Sequence, residues 1–145
     1  MANGCQKEPS PLTISEMKEL AEEIRSALLK KLSIHGGHFG PNFGMVEAII
    51  AMHYVFESPK DKLVFDVSHQ SYPHKILTGR KDAFLYEDHY DDVTGYTNPE
   101  ESEHDWFNVG HTSTSISLAS GLDFAGEQKS NFIIVVNDND MSIAE

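Results

Sequence analysis

Two short runs of bulky apolar residues most constrain what this chain can fold into. One is Leu63, Val64, Phe65 and Val67, after a turn-forming Ser58-Pro59-Lys60-Asp61; the other is Asn131-Phe132-Ile133-Ile134-Val135-Val136. Both have the length and residue types of strands, and the second suits a sheet buried on both faces. Between and before them lie segments of helical character. Leu12, Met17, Leu20, Ala21, Ile24, Leu28 and Leu32 recur at helical spacing, and Thr13 followed by Glu16 fits a capping box. That helix is expected to stop at Gly36-Gly37, where residues without Cβ permit a sharp turn and a close approach. A second helix is expected over Met45 to Phe56, apolar enough to be buried on most sides, and a third over Ser113 to Gln128 despite Gly121. Helices alternating with buried strands predict an α/β fold with a mainly parallel sheet flanked by helices.

In such a sheet, ligands bind outside the carboxyl ends of the strands. The polar runs Asp66-Val67-Ser68-His69 and Asn137-Asp138-Asn139 follow the two strands, so both are expected to open onto one crevice. The stretch after the first strand, through Thr78-Gly79-Arg80, shows no regular period. An acidic stretch (Glu87, Asp88, Asp91, Asp92) and a loop reaching Gly110 follow, long enough to be functional or mobile.

Charge and composition narrow the partners. Acidic residues outnumber basic ones 23 to 11 for a formal charge of −12, with no basic stripe, which argues against nucleic acid as a partner. The doublets Lys30-Lys31 and Arg80-Lys81 are expected to be solvated helix ends. Cys5 is the single cysteine, so no intrachain disulfide forms. The N-terminal stretch lacks the apolar core and basic flank of a signal peptide, and the apolar runs are too short to span a bilayer. A soluble, reducing, cytoplasmic setting is the expectation, with residues 1–11 a flexible N-terminus and residues 12–145 one partial domain.

The eight histidines raise the question of metal, and His35 and His38 stand three apart. Gly36-Gly37 would break any helix aiming both rings together, and no H-E-x-x-H is present, so a zinc site is the weakest reading. His38, His69 and His111 differ from the rest because each sits beside small or turn-forming residues, where backbone and imidazole can approach a ligand together. Gly110-His111-Thr112 opens onto a predicted helix, whose first-turn amides and hydroxyls suit a phosphate or ordinary capping alike. Asn137-Asp138-Asn139 offers oxygen donors for a hard cation such as magnesium, or a turn.

Taken together, GGHFGPNFGMVEAIIAMHYVF, DVSHQSYPHKILTGR, GYTNPEESEHDWFNVGHTSTSIS and IIVVNDNDMSIAE resemble consecutive segments of 1-deoxy-D-xylulose-5-phosphate synthase, over most of residues 32 to 145. The resemblance is to that enzyme rather than to its relatives transketolase and pyruvate dehydrogenase. It implies the diphosphate-binding domain of a transketolase-like, thiamine-diphosphate-dependent transferase. That enzyme decarboxylates pyruvate and joins the two-carbon fragment to glyceraldehyde 3-phosphate in isoprenoid precursor, thiamine and pyridoxal biosynthesis, and is a homodimer when complete. By matching position, His38 would lie at the reacting substrate as the catalytic residue. His69, Gly110, His111, Thr112 and Asn139 would contact thiamine diphosphate, with Asn139 and the Met141 carbonyl on Mg2+.

The chain departs from the family in two places. It contains no Gly-Asp-Gly, whose aspartate also binds the cation in the family. Ser117 to Leu122 resembles the family before that motif and Gly121 to Gln128 the helix after it, as though about 30 residues, one strand and one helix, were missing between. The family's pyrimidine-binding domain, with its activating glutamate, has no counterpart before Glu145. The chain is therefore expected to be inactive alone, and the alternative is a non-catalytic, vestigial or interaction module keeping part of a diphosphate pocket.

Overall fold

The computed structural model describes residues 12–112, 114–125 and 131–137. The chain opens with α1 (Ile14–His35), which starts where the sequence places it. The Glu16 amide donates to Thr13 Oγ1 at 3.3 Å and the Thr13 amide donates back to Glu16 Oε2 at 2.7 Å, so the capping box is closed. Ala21, Ile24, Leu28, Lys31 and Leu32 are its buried stripe. It stops at Gly36, whose positive φ of 82° turns the chain while its amide donates to the Leu32 carbonyl.

A short α2 (Gly40–Gly44) follows and leads into α3 (Val46–Val55). α3 lies between two apolar clusters. Val46 and Ile50 join the α1 stripe with Tyr72, Ala83 and Phe84, while Ile49 joins Leu63 and Phe65 of the sheet. The expectation that this helix is buried on most sides is corrected: Tyr54 and Val55 are 51% and 69% exposed and belong to neither cluster, although Met52 and Phe56 pack against the second.

The sheet consists of β1 (Lys62–Asp66) and β2 (Phe132–Val136), paired in parallel from Lys62 opposite Phe132 to Asp66 opposite Val136. Leu63 and Phe65 alternate with Val64, so they face α3 while Val64 faces the other way. Val64 is nonetheless 3% exposed, and α6 (Thr114–Ala125) packs against both strands. β1 thus meets the expectation of burial on both faces and β2 does not. Phe132 to Val135 are only half-buried and Val136 is exposed.

Between β1 and the long loop, where the sequence shows no period, the chain is coiled into short helical turns. These are Ser68–Gln70, α4 (Tyr72–Lys75), a wide turn over Ile76–Arg80 broken at Gly79, α5 (Asp82–Leu85) and Glu87–His89. They read as irregular because their inward positions are filled by polar groups: Gln70, His74 and Lys75 are all essentially fully buried. Residues 91–112 carry no regular element, as expected. No helix among the described residues is long and apolar enough to cross a membrane.

Candidate functional site

The parallel register puts the carboxyl ends of β1 and β2 at the same edge, so His69 and Asn137 follow their strands onto one side of the sheet. The expected crevice has its footing here. Ser68, fully buried just beyond β1, fastens the long loop to this edge. Its amide and its hydroxyl both donate to the Val109 carbonyl, at 2.9 and 2.7 Å, and its Oγ accepts from the Thr97 amide at 3.1 Å. Gly110, His111 and Thr112 follow Val109 and are exposed. The Thr114 hydroxyl then donates to the His111 carbonyl at 2.7 Å, closing the turn into α6.

His38 arrives from the other direction, on the loop between α1 and α2. Gly37 has φ of 129°, and a Cβ there would sit 2.8 Å from Leu32 Cδ2 and 2.9 Å from the Tyr72 hydroxyl oxygen, so the backbone passes where no side chain fits. The His38 ring stands edge-on to His69 at 5.3 Å and to Tyr96 at 5.2 Å between centroids. Its Nδ1 lies 3.3 Å from the Tyr72 hydroxyl. Tyr96 in turn faces Gly110, where a Cβ would come within 3.8 Å of its ring. His69, His38, Tyr96 and Gly110 therefore form one continuous surface, and a cavity of about 290 Å³ lies on the far side of His38, lined by Lys31, His35, Thr94 and Gly95 among others.

Electrostatics favour the neutral His38 imidazole. Burial, and then the neighbouring His69, hold its pKa below the ordinary value, against a smaller opposing contact with the Gly95 backbone. Burial likewise pushes the Tyr72 phenol up, keeping it a hydrogen-bond donor. His69 Nδ1 is 3.2 Å from the Val67 carbonyl, which can only accept, so Nδ1 carries the proton. The remaining Nε2 accepts a hydrogen bond when the ring is neutral and donates to a phosphate oxygen only when it is protonated.

Asn139 and Met141, the expected cation contacts, lie outside the described residues. Among the described residues no group of three or more His, Cys, Asp or Glu is arranged to hold a metal ion.

The sequence reading missed a buried ionic network that braces the site from behind. Arg80 donates both Nη atoms to Asp105, at 2.6 and 2.9 Å, and Nη1 also reaches Glu101 at 3.2 Å. Lys75 Nζ donates to Glu101 at 2.6 Å and to the Thr94 carbonyl at 2.9 Å. His74 Nε2 lies 3.0 Å from Asp105, and its Nδ1 lies 2.9 Å from His53 Nε2. Burial alone would raise the Asp105 carboxyl, but hydrogen bonds from His74 and Arg80 outweigh it and hold it well below the usual range. The expectation of solvated doublets is corrected for both: Arg80 is spent on this network, and Lys31 is 4% exposed with its ammonium on the Ala83 and Tyr90 carbonyls. The signal was present in the spacing. Lys75 and Arg80 on one segment answer Glu101 and Asp105, four apart, on another.

Comparison with known proteins decides the family. The family described as 1-deoxy-D-xylulose-5-phosphate synthase matches residues 6–130. The chain belongs to the 1-deoxy-D-xylulose-5-phosphate synthase family. Curated synthases of that name from Halalkalibacterium halodurans, Symbiobacterium thermophilum and Geobacillus thermodenitrificans are 43%, 42% and 42% identical to it. Each comparison covers 92% of this chain but only 26%, 25% and 26% of the relative, so the chain spans about a quarter of the synthases it matches. For the first, 92% of 145 residues is about 133, so about 31 of the 164 aligned positions have no counterpart here. That number agrees with the strand-plus-helix shortfall expected around Gly121-Leu122.

Proposed function

We propose that this chain supplies part of the diphosphate-binding face of a 1-deoxy-D-xylulose-5-phosphate synthase, acting on pyruvate and glyceraldehyde 3-phosphate. The observation that carries the reading is the continuous surface of His69, His38, Tyr96 and Gly110 at the carboxyl end of β1. In it His38 faces the reacting substrate, and His69, Gly110, His111 and Thr112 contact thiamine diphosphate.

The donor set present suits an anionic ligand. His111 and Thr112 are exposed, and the half-buried His69 imidazole keeps its Nδ1 on the Val67 carbonyl and leaves Nε2 for a ligand. Thiamine diphosphate, when bound, supplies the electron sink for decarboxylation. The protein's share is positional. Neutral His38, held by Tyr72 and shielded by burial, is a group that can hold or pass a proton at its ring nitrogens. His69, its Nδ1 held on the Val67 carbonyl, presents Nε2 to the ligand. Asn139 and the Met141 carbonyl are proposed to hold Mg2+ as neutral oxygen donors. A neutral pair binds that cation weakly without the ligand's own phosphates, and no step is assigned to it.

Isothermal titration of the chain with thiamine diphosphate and Mg2+ tests the reading. Saturable binding, weakened in His69→Ala and His111→Ala, is the expected result. Absence of binding favours the second reading, a non-catalytic interaction module, which the roughly 31 positions without counterpart support. Product formation from pyruvate and glyceraldehyde 3-phosphate is measured alongside, with the chain alone and with a polypeptide supplying the other three quarters of a relative.

A further inference from the structure

Asn42 is fully buried in α2, and its side-chain amide makes three hydrogen bonds, all to backbone, using both of its N–H donors and its oxygen. Its Nδ2 donates to the His38 carbonyl at 2.7 Å and to the His69 carbonyl at 2.8 Å, and its Oδ1 accepts from the Tyr72 amide at 2.8 Å. Two acceptors on one side and one donor on the other leave a single orientation of the amide. Two of the three anchored groups are the backbone of the two imidazole-bearing residues. The third belongs to the residue whose hydroxyl meets the His38 ring and accepts, at 3.4 Å, from the His38 amide.

We propose that Asn42 is a positioning residue of this site, a buried clamp that fixes His38, His69 and Tyr72 relative to one another. The inference rests on the site proposed above and adds to it the group that sets its geometry. No direct backbone hydrogen bond joins the His38 loop to the His69 turn among those described. The 5.3 Å approach of the two rings therefore depends on side-chain bridges: Tyr72 reaches the His38 ring and amide, and among the described residues Asn42 alone joins the His38 and His69 backbones directly. The residue type is demanding. Alanine leaves two carbonyls and an amide unpaired, and aspartate, of the same shape, keeps the Tyr72 contact but turns a carboxylate oxygen on two carbonyls.

The test is nuclear magnetic resonance on the full chain, with Asn42→Ala and Asn42→Asp compared. In the unaltered chain the Asn42 side-chain amide protons should exchange slowly with water; exchange at the rate of a free amide overturns the proposal without any variant. In both variants the His38–His69 ring contact should be lost. The His38 titration midpoint should rise toward that of a free histidine, because burial and His69 both hold it down. The ring signals of His104, paired with Ser58 away from this site, should stay in place and report an intact fold. Unchanged His38 and His69 signals in a variant that keeps the His104 signals overturn the proposal. Thiamine diphosphate titrations separate the two readings. If the unaltered chain does not bind, the functional reading fails while the ring measurements still judge Asn42; if it does, Asn42→Asp should weaken binding by about tenfold or more.

Discussion

Asp105 accepts from His74 Nε2, which fixes that proton and leaves His74 Nδ1 to accept from His53 Nε2. Burial first, with His74 and His104 next, lowers the His53 pKa to about 4. The unfolded chain protonates His53 near its ordinary value of 6.5 and the folded chain resists. Stability is therefore intact above about pH 6.5 and declines as pH falls toward 4, by an amount on the order of 3 kcal/mol. Urea unfolding between pH 7 and 4 should show this decline, and His53→Gln, which keeps a donor for His74 but does not titrate, should flatten it. Asp105, with its pKa held down, contributes stability that is lost only at lower pH, below the ordinary carboxylate value. Asp105→Ala strips the acceptor from Arg80 and His74 and leaves a buried positive charge without its main partner, and should cost about 3–5 kcal/mol in urea unfolding at pH 7.

At the scale of elements, the loop of residues 91–112 has no secondary structure to hold it, yet it carries Tyr96 and Gly110 into the site. Its order comes from attachments at its two ends: Glu101 and Asp105 to the α4 region, and Val109 to Ser68. Ser68→Ala keeps the Ser68 amide on Val109 but leaves the buried Thr97 amide without its acceptor, and should destabilise by about 1–3 kcal/mol. Hydrogen exchange should locate the loss, with amides of residues 94–112 exchanging faster and those of α1 unchanged. Equal acceleration in α1 would mean that the loop and the α1 cluster unfold as one unit.

At the scale of the whole molecule, the two-stranded sheet is covered unevenly. β1 is sealed, whereas β2 shows half-buried Phe132, Ile133, Ile134 and Val135 and an exposed Val136. Such an apolar edge invites pairing with another copy, and the formal charge of −12 opposes it. Self-association measured by analytical ultracentrifugation should therefore increase with salt, which screens the charge, and Val136→Lys should reduce it. Association that weakens as salt is added would show that charge pairing, not the apolar edge, brings copies together.

The sequence by itself determined the parts whose information is local. Thr13 and Glu16 fix where α1 begins, Gly36 fixes where it ends, and the two apolar runs fix both strands, because capping, backbone freedom and apolar patterning act over a few residues. The motifs carrying the family resemblance were legible for the same reason. What only the tertiary structure decided is every arrangement that pairs distant polar groups. Asn42 looks like a turn residue until His38, His69 and Tyr72 are folded around it, and Arg80 looks like a solvated doublet until Asp105 and Glu101 meet it. Buried polar groups must find partners, but which partner depends on chain segments about 20 to 30 residues apart, and a one-dimensional pattern does not carry that distance.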